Sequence, residues 1–257
     1  MRWQFSAVQW DVLTELLRIE GYPAPIKVQV HGRTDVERAR IRAQVRAELT
    51  QLGLERAGQV EPDLEAAMRL LHRPACWVDS VWLPAEGAEQ PVRVVAARQG
   101  TTGVCAVQRP EEPGATVLET VPADGLAAAV VSKLPPHPPG TSPAATVVLG
   151  ANAAQDRPGV LVSASTTRTS TERDNATAAA ILERPHARAG QIAANQREPS
   201  GRVRRSDILR WCDNPDGRYL VTVSSRPDGP ASLTVGPTDG RRLGDALQRL
   251  IAAVQPS

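Results

Sequence analysis

The chain has 257 residues, enough to bury a large core as one domain or as two closely joined halves. Thirty basic residues against 28 acidic ones leave a net charge of +2, too balanced for a nucleic-acid binder, so protein partners are expected instead. The three cysteines, Cys76, Cys105 and Cys212, form no CxxC pair, which argues against a disulfide framework or zinc site and for a reducing, cytoplasmic setting.

Residues 1–21 read as a charged amphipathic helix pattern without a signal-peptide apolar run, and no stretch approaches the length of a membrane span. Ser6 with Gln9 makes a capping-box pattern, and Phe5 is placed to staple onto Trp10. Val12, Leu13, Leu16 and Leu17 then supply a helical stripe that stops before Gly21. Ile26, Val28 and Val30 alternate with polar residues, predicting a half-buried strand broken by Gly32. Thr34 and Glu37 make a second capping box, opening a helix with Ile41, Val45, Leu49 and Leu52 on one face and Gly53 as its stop. A third helix, opened by Pro62, carries Leu64, Met68 and Leu71 and ends before Pro74. The second and third helices are expected to form an antiparallel pair.

From Cys76 the pattern changes to strands, at 77–83, 92–98, 103–108 and 115–121, joined by short turns as in an antiparallel meander. A helix follows with Leu126, Val130 and Leu134 on one face. Residues 135–143 begin with a run of prolines that excludes helix and inner strand and reads as a stiff extended linker. Beyond it, 146–149 is expected to be a strand in the place that 26–30 holds in the first half. Residues 155–175 are polar, and 163–171 is expected to be loosely packed, whereas 176–182 reads as helix. Strands are expected at 190–196, 207–212, 218–224 and 232–235, and a last helix buries Leu243, Leu247, Leu250, Ile251 and Val254.

Two blocks of this chain repeat. Gly114 with Gly229, Pro122 with Pro237 and Asp124 with Asp239 each stand 115 positions apart, and Leu70-Leu71-His72-Arg73-Pro74 matches Ile181-Leu182-Glu183-Arg184-Pro185 at 111. The expected organisation is therefore a single α+β domain over 1–257. Repeats at 25–134 and 144–254 contribute strands to one central antiparallel sheet, with helical bundles beside it.

Catalytic and ligand-binding patterns are missing. His31, His72, His137 and His186 sit in no HExxH, HxH or Cys/His spacing, and GxSxG, GxGxxG and GxxxxGK do not occur. The Asp residues at 124, 216, 228 and 239 read as turn formers. No enzyme, metal or cofactor is expected. Among five tryptophans, Trp82 stands out, because it ends a strand beside the loop 84–90 and could anchor a partner.

The segment Pro25-Ile26-Lys27-Val28 to His31-Gly32-Arg33-Thr34, with Glu37-Arg38-Ala39-Arg40, resembles the opening of the EspG family of ESX (type VII) secretion-associated proteins. Ala189-Gly190-Gln191-Ile192, Asp213-Asn214-Pro215-Asp216-Gly217-Arg218-Tyr219-Leu220-Val221 and Leu233-Thr234-Val235-Gly236-Pro237 with the final helix are similar to that family's C-terminal region. The resemblance implies a central sheet flanked by two helical bundles in a pseudo-twofold arrangement. It also implies a cytosolic chaperone that binds PE/PPE heterodimers or related type VII cargo and shields a hydrophobic tip, working as a monomer or homodimer without nucleic acid or membrane insertion. The family binds through the central sheet, the loop between its second and third strands, and the C-terminal helical bundle. By position these are the 82–92 segment, with Trp82, Leu83, Pro84, Glu86, Glu89 and Val92; the strand 190–196, with Gln191 and Ala193; and the helix near 178–182, with Ile181. The polar stretch 155–175 departs from the family pattern. A non-enzymatic scaffold or regulatory interaction module is the alternative function.

Overall fold

The protein is described by a computed structural model covering residues 1–149, 172–224 and 230–255. In the first half, strand β1 (Arg2–Phe5) leads into helices α1 (Ala7–Leu16) and α2 (Asp35–Gln51), a small hairpin of β2 (Glu55–Arg56) and β3 (Gln59–Val60), and helix α3 (Pro62–His72). Four strands follow, β4 (Cys76–Leu83), β5 (Val92–Gln99), β6 (Thr102–Gln108) and β7 (Thr116–Pro122), closed by α4 (Leu126–Val131). The second half runs β8 (Ala145–Val148), α5 (Glu172–Leu182), β9 (Arg188–Arg197), β10 (Val203–Arg205), β11 (Leu209–Asn214), β12 (Gly217–Ser224), β13 (Ser232–Pro237) and α6 (Gly240–Val254).

Local chemistry starts the helices where expected. Both capping boxes form: the Ser6 hydroxyl accepts from Gln9 N at 3.2 Å, and the Thr34 hydroxyl accepts from Glu37 N at 3.2 Å. Phe5 and Trp10 meet with ring centroids 5.9 Å apart, completing the staple. Asp239, one of the turn-type aspartates, caps α6 by accepting from Arg242 N at 2.8 Å. Asp228 and the stretch 150–171, including the segment expected to be loose, lie outside the described residues.

Among the described residues, eleven strands form one antiparallel sheet in the order β1-β7-β6-β5-β4-β9-β11-β12-β13-β8, with β10 continuing from β9. The β4–β9 pair at its centre joins the two halves, Trp77 facing Asn195 and Leu83 facing Ala189. One sheet face is covered through its middle by α4 and α6, whose Leu126, Val130, Leu243 and Leu247 pack on Val78, Val94, Ile192 and Ala194. The opposite face is covered in two pieces. Over β5, β6 and β7 lie α1, α2 and α3, which bury Trp10, Leu13, Leu49 and Met68 with Trp77, Val95 and Ala106. Over β12, β13 and β8 lies α5, whose Ala178 and Ile181 pack with Tyr219, Val221 and Val235.

Three expectations need correction. Residues 26–30 do not form a strand, and Val30 is 80% exposed. Instead of joining a backbone ladder, the segment is held by one side chain: Lys27 N donates to Gln108 Oε1 at 2.9 Å and Gln108 Nε2 donates to Lys27 O at 2.7 Å. The sheet edge beside β7 is taken by β1, so the strand at the opposite edge, β8, has β1 rather than 26–30 as its opposite number. Third, the main helical neighbour of α2 is α1, not α3. Arg38 on α2 draws them together, its two Nη groups donating to Asp11 Oδ2 and Oδ1 at 2.5 and 3.1 Å while it also pairs with Glu15. The hydrogen bond to Asp11, aided by Glu15, raises the Arg38 pKa above its ordinary value despite partial burial.

The proline-rich segment 135–143 lies along β12. Arg218 N donates to Pro138 O at 2.8 Å, Gly140 N donates to Arg218 O at 3.0 Å, and Ser142 N donates to the Tyr219 hydroxyl at 3.0 Å. Gly140 rests on the Tyr219 ring so closely that a Cβ there would fall 2.1 Å from the ring.

Candidate protein-binding interface

On the face shared by the α1–α3 and α5 clusters, no helix among the described residues packs over the adjoining ends of β4 and β9. Side chains alternate along a strand, so Trp77, Asp79, Val81 and Leu83 of β4 point to this face. Their register partners Asn195, Ala193, Gln191 and Ala189 lie beside them on β9. Trp77 is covered by the first helical cluster and Ala189 touches the α5 cluster. Between them, Val81 and Leu83 belong to none of the three apolar clusters; Val81 is half-buried and Leu83 is 40% exposed. Arg93 on β5 and Arg210 on β11 flank this strip in register, opposite Val81 and Gln191 respectively. The result is a narrow band, apolar along β4, amide-bearing at Gln191 and bordered by two cations.

A polar cluster closes the band at its other end. Arg205 of β10 donates through Nη1 and Nη2 to Asp79 Oδ2 and Oδ1 at 2.6 and 3.0 Å, and Asn195 Nδ2 donates to Asp79 Oδ2 at 2.7 Å. This network satisfies the buried Asp79 carboxylate at the centre of the sheet.

The residues singled out from sequence divide by face and burial. Leu83, Glu86 and Glu89 are exposed, and Pro84 and Gln191 are half-buried. Trp82 is not the exposed anchor its position invites. At 5% exposure it points to the α4 and α6 side, where its ring meets Trp211 at 6.0 Å. Val92 pairs with Trp82 and is buried on that same side. Ala193 is buried opposite Asp79, and Ile181 is buried on the side of α5 that faces the sheet. Trp82 and Val92 therefore support the band from behind, while Ala193 and Ile181 lie on its own side of the sheet as buried residues.

The loop between β4 and β5 approaches the connection between α5 and β9. His186 in that connection feels the Glu86 carboxylate and hydrogen-bonds the Ile181 backbone, both favouring its charged form. Burial outweighs them and lowers the His186 pKa below the usual histidine value. Glu86 is thereby brought to the same end of the sheet as Leu83 and the close of α5. The members missed from sequence are Val81, Arg93 and Arg210, because their type is ordinary for a strand and only the register puts them on the uncovered face. Among the described residues no group of His, Cys, Asp and Glu is placed to hold a metal ion, and no helix is long and apolar enough to cross a membrane.

A model of the EspG family matches residues 6–249. No curated protein matches the chain. The fold is similar to that of a solved structure, the Mycobacterium tuberculosis type VII secretion system chaperone EspG5 in complex with a PE25-PPE41 dimer, with a TM-score of 0.70 and 15% identity, covering 100% of this chain and 97% of that one. With its eleven-stranded antiparallel sheet in hand and the family match running almost from end to end, the chain belongs to the EspG family.

Proposed function

We propose that this chain is a cytoplasmic, non-enzymatic chaperone of type VII secretion that holds a PE/PPE-type helical pair, or a related cargo, and covers its hydrophobic tip. The observation carrying this reading is the band at the middle of the sheet that the described residues leave uncovered, where Val81 and Leu83 lie outside every apolar cluster between two helix-covered regions. Apolar surface left in this way fits a helical tip, and Gln191, Arg93 and Arg210 can meet the exposed carbonyls at a helix end. The loop carrying Pro84, Glu86 and Glu89 adds a rim. Family membership and the fold shared with a chaperone bound to a PE25-PPE41 dimer support the choice of cargo.

The same reading treats the chain as two pseudo-twofold repeats joined by residues 135–143. In its support, α3 precedes β4 as α5 precedes β9, and β5, β6, β7 lie outward from β4 in the order that β11, β12, β13 lie outward from β9. The first repeat then has to include β1, the opposite number of β8.

Co-expression with the PE/PPE pair, or other type VII cargo, encoded beside this protein tests the function. One stable complex on gel filtration, with the cargo insoluble when expressed alone, is expected. Failure to form a complex with any such cargo would overturn the proposal.

A further inference from the structure

The end of the central strands remote from Leu83 carries a second surface. β9 turns into β10 through residues 198–202, closed by Glu198 N donating to Arg202 O and Gly201 N donating to Glu198 O, each at 2.8 Å, with Gly201 at φ 87°. This turn sets Arg197 and Arg204 beside the connection from α3 to β4, where Arg73 is the residue closing α3. Between them opens a cavity of about 660 Å³. Pro74, Pro199 and the α6 residue Val254 supply its apolar wall, and the three arginines supply its charge.

That charge is poorly neutralised. The Arg73 side chain makes no hydrogen bond or ion pair among the described residues. Arg197 donates through Nε to the neutral Pro74 carbonyl at 3.3 Å and lies 5.6 Å from the Trp77 ring centre. Among the described residues, only Arg204 of the three has a carboxylate partner, Glu198, at 3.2 Å. Three cations against one carboxylate leave a local surplus as large as the +2 of the entire chain.

We propose that this cavity is a second protein-docking site, which takes an acidic peptide segment whose carboxylates flank an apolar side chain, from a partner other than the cargo. The apolar wall would receive the central side chain and the arginines its flanking carboxylates, Arg73 being free to make a bidentate contact. A free phosphate would leave the apolar wall bare. A single-stranded nucleic acid would want exposed aromatic faces for stacking, and Trp77 here is buried beneath Arg197. The site lies at the Cys76 end of β4 and the candidate cargo band at the Leu83 end, roughly 23 Å apart at about 3.3 Å per residue, so both can be filled at once.

The test is fluorescence anisotropy on the full chain with a fluorescein-labelled dodecapeptide of Asp and Glu around a central Leu-Leu pair. Saturable, salt-sensitive binding is expected, weakened about tenfold or more by Arg73→Glu with Arg204→Glu, and left unchanged by Arg40→Glu on the exposed side of α2. If the charge reversal impairs folding, the Arg73→Gln, Arg204→Gln pair gives the same reading with smaller perturbation. No saturable binding, or binding that survives loss of both arginines, overturns the site. Tighter binding of a thymidine dodecanucleotide, or displacement of the peptide by inorganic phosphate, overturns the peptide assignment.

Discussion

Trp82 and Trp211 meet across a single glycine: both register with Gly190 on the intervening strand β9, and their ring centroids are 6.0 Å apart. A Cβ at Gly190 would lie 2.4 Å from Trp82 Cβ and 2.9 Å from Trp211 Nε1, so the bare backbone makes room for the pair. Trp82→Ala removes a large buried ring and is expected to cost about 3–5 kcal/mol. Gly190→Val overpacks the same row and is expected to cost about 1–3 kcal/mol. Urea unfolding of each variant measures both, and a Trp82→Ala midpoint equal to that of the unmodified protein would contradict the buried placement.

The neighbouring residue behaves oppositely. Leu83 faces away from Trp82 and is 40% exposed, so Leu83→Asp is expected to change stability by less than about 0.5 kcal/mol. If the β4–β9 band receives cargo, the same substitution buries an unpaired charge in the complex and weakens cargo binding by about 2 kcal/mol or more. Calorimetric titration with cargo, set beside the thermal melt, separates the two effects.

Asp213 and Arg218 form a buried pair, Nε and Nη2 of Arg218 donating to Oδ1 and Oδ2 at 2.6 and 2.8 Å, with Arg188 Nε at 3.3 Å from the same carboxylate. Arg218 also donates to Pro135 O at 2.8 Å and stacks its guanidinium 4.7 Å from the Trp211 ring centre. Arg218→Met leaves a buried carboxylate with one partner and is expected to cost about 3–5 kcal/mol. Adding Asp213→Leu should recover much of that loss, because the stranded charge is then gone. Denaturant midpoints of the single and double variants decide it, and additive losses would refute the coupling.

The thiols respond to pH. Burial pushes Cys105 and Cys212 up to about 12, and raises Cys76 above its ordinary value against the opposing charge of Arg98. A thiol whose folded pKa is raised stabilises the fold fully below the unfolded value of about 8.5, and that contribution fades as pH climbs toward the folded value. Stability is therefore expected to fall between pH 9 and pH 12 by a smaller amount in a Cys105→Ala variant than in the unmodified chain. At pH 8 the native thiols should resist a disulfide-exchange reagent that titrates all three in guanidinium; rapid reaction of the native protein would argue against their burial.

Much of the fold was legible in the residues themselves. The two capping boxes, Pro62 at the head of α3 and the apolar stripe of α6 act within a turn or two of chain, so local sequence specifies them. Edge strand β1 was hidden because four residues carry too little alternation to stand out, and its pairing with β7 is made by chain more than a hundred positions away. The segment 26–30 shows the converse. Its alternation is strand-like, yet hydrogen bonds from one distant glutamine side chain hold it outside the ladder.

The candidate band divides in the same way. The family resemblance picks out residues 82–92 and 190–196 as regions, and the sequence favours Trp82 over its neighbour Leu83 as the anchor. Period-two alternation says only that they face opposite ways; it does not say which way leads to solvent. The sequence by itself determined the starts of α1, α2 and α3, the antiparallel meander and the absence of familiar catalytic spacings, all properties of short range or of composition. Tertiary structure alone decided that α4 and α6 cover one face of the central strands continuously while the described helices on the other leave Val81 half-buried and Leu83 exposed, because coverage depends on where distant helices come to rest on the sheet.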